Sequence, residues 1–266
     1  MIPLILTATI DSGYFGNVET KIIDIEERRN QYHETLEKYI VQSNFDKFVF
    51  AENSGTHLDE EYFKQLALKY NKKIEFLTLM GDIDKTKKYG KSYGEAKLIA
   101  DAVGKSEFLK QEQAFYKVTG RVWIENINNL VENNSLTSQF VAYNHNQWLV
   151  TIFFRLTLKD YKEYLSHVLD EFEMGADYAR VGNWIAIEKI YYKKLVDVAE
   201  PIKGFREYPD FRGKLGGTNL PYTKSRTNLL IRNILNRLGF FKLSAESPLT
   251  MKIARKMFEM VSLLFK

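Results

Sequence analysis

Cysteine is absent from the 266-residue chain. Disulfides and thiolate metal sites are thereby excluded, and a reducing compartment fits. No run of about 18 apolar residues occurs, so no membrane-spanning helix is expected. The first apolar run, residues 2–10, lacks a basic segment before it and is short for a secretory signal. It reads as a strand, and a cytosolic or membrane-peripheral protein is expected. Internal repeats and low-complexity tracts are also missing. What is present is a globular composition, 45% hydrophobic and 14% aromatic. That excludes a disordered chain and allows one large core or two domains.

Charge is unevenly spread. Residues 221–266 hold nine Lys/Arg and two Asp/Glu, for +7, whereas the rest of the chain carries −3. A basic tail on a mildly acidic body points to an anionic surface, either a membrane or a nucleic acid. Helical spacing predicts two basic amphipathic helices there, over 223–238 and 248–265. The first sets Leu229, Leu230, Ile234, Leu235 and Leu238 against Arg226, Arg232 and Arg237. The alternative is that they pack on the body with their basic faces in water. The tail has neither the spaced aromatics of an RNA-binding sheet nor a zinc-finger signature, so no nucleic acid is expected.

The first half alternates strand and helix. Strands are predicted over 3–10, 45–51 and 73–80, with helices over 25–42 and 58–69 between them. Asp24 and Glu27 have capping-box spacing before the first helix. Such alternation implies right-handed βαβ units and a mostly parallel sheet flanked by helices, with ligands at the carboxyl ends of the strands. The second half is less regular. Short strands are expected over 139–143 and 149–154, helices over 158–172 and 183–195, and an ordered loop or lid over 201–217.

Residues 90–126 concentrate the signals. Ser92 and Glu95 have the S-x-x-E spacing of a capping box, and Gly104 supplies a stop signal. A strand over 115–124 then carries Lys117, Thr119, Gly120 and Arg121 in its middle. Glycine inside a strand marks close approach of a backbone or ligand. Four residues apart in a strand, Lys117 and Arg121 would share one face, which is costly unless they are paired or facing a cleft that holds an anion.

Five segments in register, ILTATIDS, EERRNQYHETLEKYI, VFAENSG, KSYGEAKLI and FYKVTGR, resemble a family of bacterial GT-A glycosyltransferases that build capsular polysaccharide and lipopolysaccharide O-antigen. The similarity covers residues 3–126 well and the second half thinly. It implies a GT-A-like (Rossmann-like) catalytic domain over 1–220, with a nucleotide-binding half to 126, an acceptor half over 127–220 and the tail beyond. It further implies a nucleotide-sugar donor, a glycan or lipid-linked glycan acceptor, and work at the cytoplasmic face of the inner membrane, with the tail on the membrane surface. The family's glycine-rich GKGYGE reads here as Gly90-Lys91-Ser92-Tyr93-Gly94-Glu95.

On this resemblance, Thr7, Ala8, Thr9 and Asp11 would hold base and ribose, as would Glu52, Asn53 and Ser54. Each is otherwise an ordinary strand or turn residue. Arg28 or Arg29 would reach a phosphate or else lie in solvent. Tyr93, Gly94 and Glu95 would touch the donor at a helix start, although capping alone accounts for Glu95. The Asp-x-Asp that most GT-A enzymes place after the capped helix reads here Lys117-Val118-Thr119-Gly120-Arg121. Fixed cations would then stabilise the leaving diphosphate without a metal. The alternative is Mg2+ or Mn2+ at Asp82 and Asp84, which equally suit a surface turn. For the general base, Glu188 among Ile185, Ile187 and Ile190 is the first candidate and His145 the second; its polar aromatic loop, 143–148, could equally hold a sugar by stacking and hydrogen bonds. Glu188 would otherwise pair with neighbouring lysines. Arg155, Arg180 and Arg206 are weaker phosphate candidates. A non-catalytic nucleotide-sugar- or nucleic-acid-binding protein is the competing reading.

Overall fold

The computed structural model describes residues 2–16, 21, 24–132, 136–198, 202–214, 220–244 and 256. Strands β1 (Leu4–Ala8), β2 (Lys47–Glu52), β3 (Lys73–Thr78), β4 (Ala114–Thr119) and β5 (Phe153–Thr157) form a sheet in the order β3-β2-β1-β4-β5. The first four run parallel, and β5 is antiparallel to β4. β1 is buried throughout, because both faces of the sheet are covered; hence its unbroken apolar sequence. The order reverses at β1, so the crevice of a doubly wound sheet opens beyond the carboxyl ends of β1 and β4.

The helices are α1 (Ile25–Gln42), α2 (Glu60–Lys69), α3 (Ile83–Tyr89), α4 (Lys91–Lys105), α5 (Ile187–Leu195) and α6 (Arg226–Arg237), with shorter turns between. Pleating sends Leu4 and Leu6 into one core with Tyr32, Leu36 and Tyr39 of α1. Ile5 goes to the other, with Ile99 and Ala102 of α4 and Ile190 of α5. The register sets Lys117 and Thr119 beside Ile5 and Thr7. Asp24 caps α1 as expected, accepting from the Glu27 amide at 2.7 Å.

Several local expectations fail for identifiable reasons. Gly90, at φ +89°, ends α3 and opens α4, a conformation that a Cβ would strain. Ser92 and Glu95 therefore lie inside the helix and form no capping box. β4 stops at Thr119, because the chain turns there and the Val122 amide donates to the Thr119 carbonyl at 2.8 Å. Trp123–Ile124 instead pairs with Phe211–Arg212. Lys117 and Arg121 thus do not share a strand face. Gly120 answers to a backbone: a Cβ there would stand 2.9 Å from the Thr7 carbonyl oxygen.

The second half is more broken than its periodicity suggests. Ala142–Tyr143 pairs with Trp148–Leu149 as a hairpin, and the expected helix over 158–172 splits around Tyr161–Leu165. α5 begins at Ile187, because Trp184–Ile185 pairs with Arg180–Val181. α6 packs on the body. Leu235 is buried, the Asn236 amide donates to the Phe205 carbonyl at 2.8 Å, and the Tyr208 amide donates to Asn233 at 2.8 Å. Its apolar residues are therefore divided, with Leu230, Ile234 and Leu238 left exposed. The second expected tail helix, over 248–265, lies outside the described residues, apart from Lys256. Among the described residues no helix is long and apolar enough to cross a membrane.

Candidate functional site

A cleft of about 580 Å3 opens at the carboxyl ends of β1 and β4. Of the residues singled out in the sequence, Thr7, Ala8, Thr9, Arg28, Asn53, Gly94, Glu95, Thr119, Arg121 and Glu188 line it. Chain segments far apart in sequence meet here only because the parallel strands end together.

Its floor is a charged network. The Lys117 ammonium, fully buried beneath the floor, pairs with the Glu95 carboxylate of α4. It also donates to the Thr151 carbonyl at 2.9 Å and to the Thr119 hydroxyl at 3.1 Å. Glu95 accepts in addition from the Thr7 hydroxyl at 3.0 Å. Lys117 is thus a strut that fixes Glu95, and Glu95 is the group that meets the cleft. The Thr151 hydroxyl donates to Glu188 Oε1 at 3.2 Å, while Glu188 Oε2 is enclosed with no hydrogen-bond partner. Burial raises the Glu188 pKa; its own backbone amide and Thr151 oppose this, whereas the nearby Glu95 charge adds to it.

Two guanidiniums line the cleft side by side. Arg28, buried on α1, donates through Nε to the carbonyls of Thr9 at 3.0 Å and Ile10 at 2.9 Å. Arg121 donates to Gln31 at 2.9 Å, is only 8% exposed, and keeps a buried Nε without a partner. Both lie against the Tyr32 ring, 6.0 and 5.7 Å from its centroid. The pKa of Arg28 is lowered by burial, and by the like charge of Arg121. Two cations held together around one ring are an arrangement chemically suited to an anion.

Other candidates serve the scaffold. Glu52 accepts from the amides of Ile10 (2.9 Å), Ser54 (2.9 Å) and Thr56 (3.0 Å), clasping the ends of β1 and β2. Burial raises its pKa against those bonds. Ser54 accepts from the Asp11 amide, and Asp11 caps the Ser12–Phe15 turn. Tyr93 is core, edge-on to Phe172. His145 sits in the Asn144–Asn146 turn beside Tyr143, outside the cleft lining. Asp82 caps α3 through the Lys85 amide at 2.9 Å, and Asp84 is exposed in its first turn. Arg29 pairs with Glu26, Arg180 with Asp177, and Arg206 is exposed. Arg155 is fully buried and bonds the Thr137 carbonyl at 2.7 Å. Among the described residues no three His, Asp or Glu side chains group as metal ligands.

Of the far wall, local pattern marked only the aromatic loop 143–148. Tyr143, Trp148, Trp184, Tyr208, Tyr222, Lys224 and Arg232 line this wall, from four separate segments. Tyr222 has its pKa pushed up to about 12, chiefly by burial; Arg121 opposes the shift, and Glu188 and Glu95 add to it. The other signal was compositional, since two of the chain's three tryptophans fall here. No protein-family model matches the chain, and no curated protein matches it.

The network separates two kinds of variant. Lys117→Ala leaves the Glu95 carboxylate without its buried partner and should destabilise folding by about 3–5 kcal/mol. Arg121→Ala, at the cleft surface, should cost about 1 kcal/mol. Urea unfolding of both variants checks this; equal losses contradict the strut assignment.

Proposed function

We propose that the protein is a GT-A-like glycosyltransferase that moves a sugar from a nucleotide-sugar donor to a bacterial surface-glycan acceptor, of the capsule or O-antigen kind. The observation that carries the reading is the pairing, in one cleft, of the Arg28–Arg121 anion site with a carboxylate whose Oε2 is enclosed and unpartnered. Thr7, Ala8, Thr9 and Asn53, at the strand ends, face the nucleoside. Arg28 and Arg121 take the diphosphate, replacing the pair formerly expected, Lys117 with Arg121. Glu95 accepts from a sugar hydroxyl.

In the transfer, the acceptor hydroxyl oxygen bonds to the anomeric carbon, and the bond from that carbon to the phosphate oxygen breaks. The nucleoside diphosphate leaves with the electron pair, stabilised by the two guanidiniums. The hydroxyl proton goes to Glu188, whose raised pKa makes it a stronger base than a solvated glutamate. Charge stabilisation by fixed arginines requires no metal. Exposed Leu230, Ile234 and Leu238 on α6, next to Arg226 and Arg237, suit contact with an anionic leaflet, where each cation contributes about 1 kcal/mol.

Nucleotide binding, donor turnover, the pH–rate profile and vesicle binding test these assignments. A thermal-shift and calorimetric screen of UDP, GDP, CDP and TDP should find one binder, unaffected by EDTA and weakened about 10- to 100-fold by Arg121→Ala. Loss of binding in EDTA overturns the metal-free reading, and no shift with any nucleotide overturns the donor site. Turnover of that donor separates an enzyme from a binding protein.

Glu188 must be ionised to act as a base, and its pKa is raised. The acid limb of kcat/KM should therefore lie above the ordinary glutamate value of 4.5, with rate rising as pH passes through it. Glu188→Gln should lower kcat about 100-fold or more and remove that limb. An unchanged profile assigns the base elsewhere.

Vesicle co-sedimentation should show binding to anionic but not zwitterionic lipid, reduced by the paired change Leu230→Ser and Ile234→Ser. Equal binding to both lipids, or none, counts against membrane contact.

A further inference from the structure

The same cleft is lined by a second pair of cationic side chains, Lys224 and Arg232. Arg232 reaches in from α6, and three of its hydrogen bonds go to neutral groups. Its Nε donates to Asn228 at 2.7 Å, and Nη1 donates to the hydroxyls of Tyr143 at 2.9 Å and Tyr208 at 3.1 Å. The guanidinium lies 4.9 Å from the centre of the Tyr208 ring, and the two tyrosine hydroxyls share a hydrogen bond of 2.6 Å. Lys224, exposed by its accessible surface, lines the same wall; neighbouring protein atoms that partly desolvate it, and then the charge of Arg232, lower its pKa. Side-chain entropy is given up to hold one cation where another repels it, a cost that an arriving anion offsets.

Beside these cations stand Trp148 and Trp184, edge to face with centroids 6.5 Å apart. Indole faces at a cleft wall suit the apolar C–H face of a pyranose ring. The wall therefore combines a saccharide platform with a fixed positive charge, and the leaving diphosphate is already matched by Arg28 and Arg121.

We propose that Trp148, Trp184, Lys224 and Arg232 form the acceptor subsite, and that it takes a saccharide bearing an anionic substituent, a carboxylate or a phosphate. This rests on the glycosyltransferase reading. Arg232 and Lys224 engage the anion and the tryptophans the ring, which turns an acceptor hydroxyl toward Glu188.

Calorimetry on the full chain, with the preferred nucleoside diphosphate present at saturation, tests the assignment. The probes are methyl glucoside, methyl glucuronide and glucose 6-phosphate. At least one anionic sugar should bind about tenfold or more tighter than the neutral one, and which of the two does so identifies the substituent. Lys224→Gln alone should reduce that preference, and Lys224→Gln with Arg232→Gln should bring it below about twofold. Neither variant should alter nucleoside diphosphate affinity, which also reports that the protein remains folded. Equal binding of all three sugars, no binding of any, or a preference that survives both substitutions overturns the proposal. The nucleotide screen fails or succeeds independently of these outcomes, so the donor reading and the acceptor reading can be rejected separately.

Discussion

The pairing of Lys117 with Glu95 underlies the rest of the cleft. An ammonium ion between central strands is tolerated only if its charge and its protons are all met. Glu95 supplies the charge, and Thr119 and the Thr151 carbonyl supply further acceptors. Meeting those demands ties α4 to β4 and both to the segment before β5. Thr151 then carries the connection on to Glu188 at the start of α5. One buried cation thus fixes where both cleft carboxylates stand.

Above this floor the cleft is electrically divided. Arg28 and Arg121 flank Tyr32 where β1 and β4 end, Glu95 and Glu188 line the same cleft, and Lys224 and Arg232 line it from the second half of the chain. Paired positive charge of this kind suits an anionic group. The half-buried Glu188 carboxylate, its proton affinity raised, is suited to accept a proton. A chemistry that expels a phosphate while deprotonating an alcohol uses both halves. In a partly desolvated cleft such fixed charges act more strongly than they would in water.

The tail illustrates how one helix can serve two surfaces. α6 buries Leu235 and Asn236 against the body, and its Arg232 enters the cleft. Leu230, Ile234 and Leu238 point away. The two roles coexist because helical side chains radiate in all directions, so one helix presents different residues to the cleft and to the surroundings.

Residue order by itself determined the parallel strands, the cap of α1 and the position of the cleft, since these depend on local periodicity, turn chemistry and the ends of successive βαβ units. The family resemblance marked Thr7 and Arg28, and capping pattern and unusual local polarity marked Glu95, Arg121 and Glu188; all five line the cleft. Only the tertiary structure decided that Lys117 is a strut rather than a ligand contact. Whether a cation meets solvent depends on what covers it, and Lys117 is covered by Glu95, Thr151 and β5, distant in the chain. The same holds for Glu52, consumed by backbone amides, and for Ser92, shifted into the helix by the positive φ of Gly90. The far wall was also decided by packing, since Trp148, Trp184, Tyr222 and Arg232 share no local motif and become neighbours only when the second half folds over the strand ends.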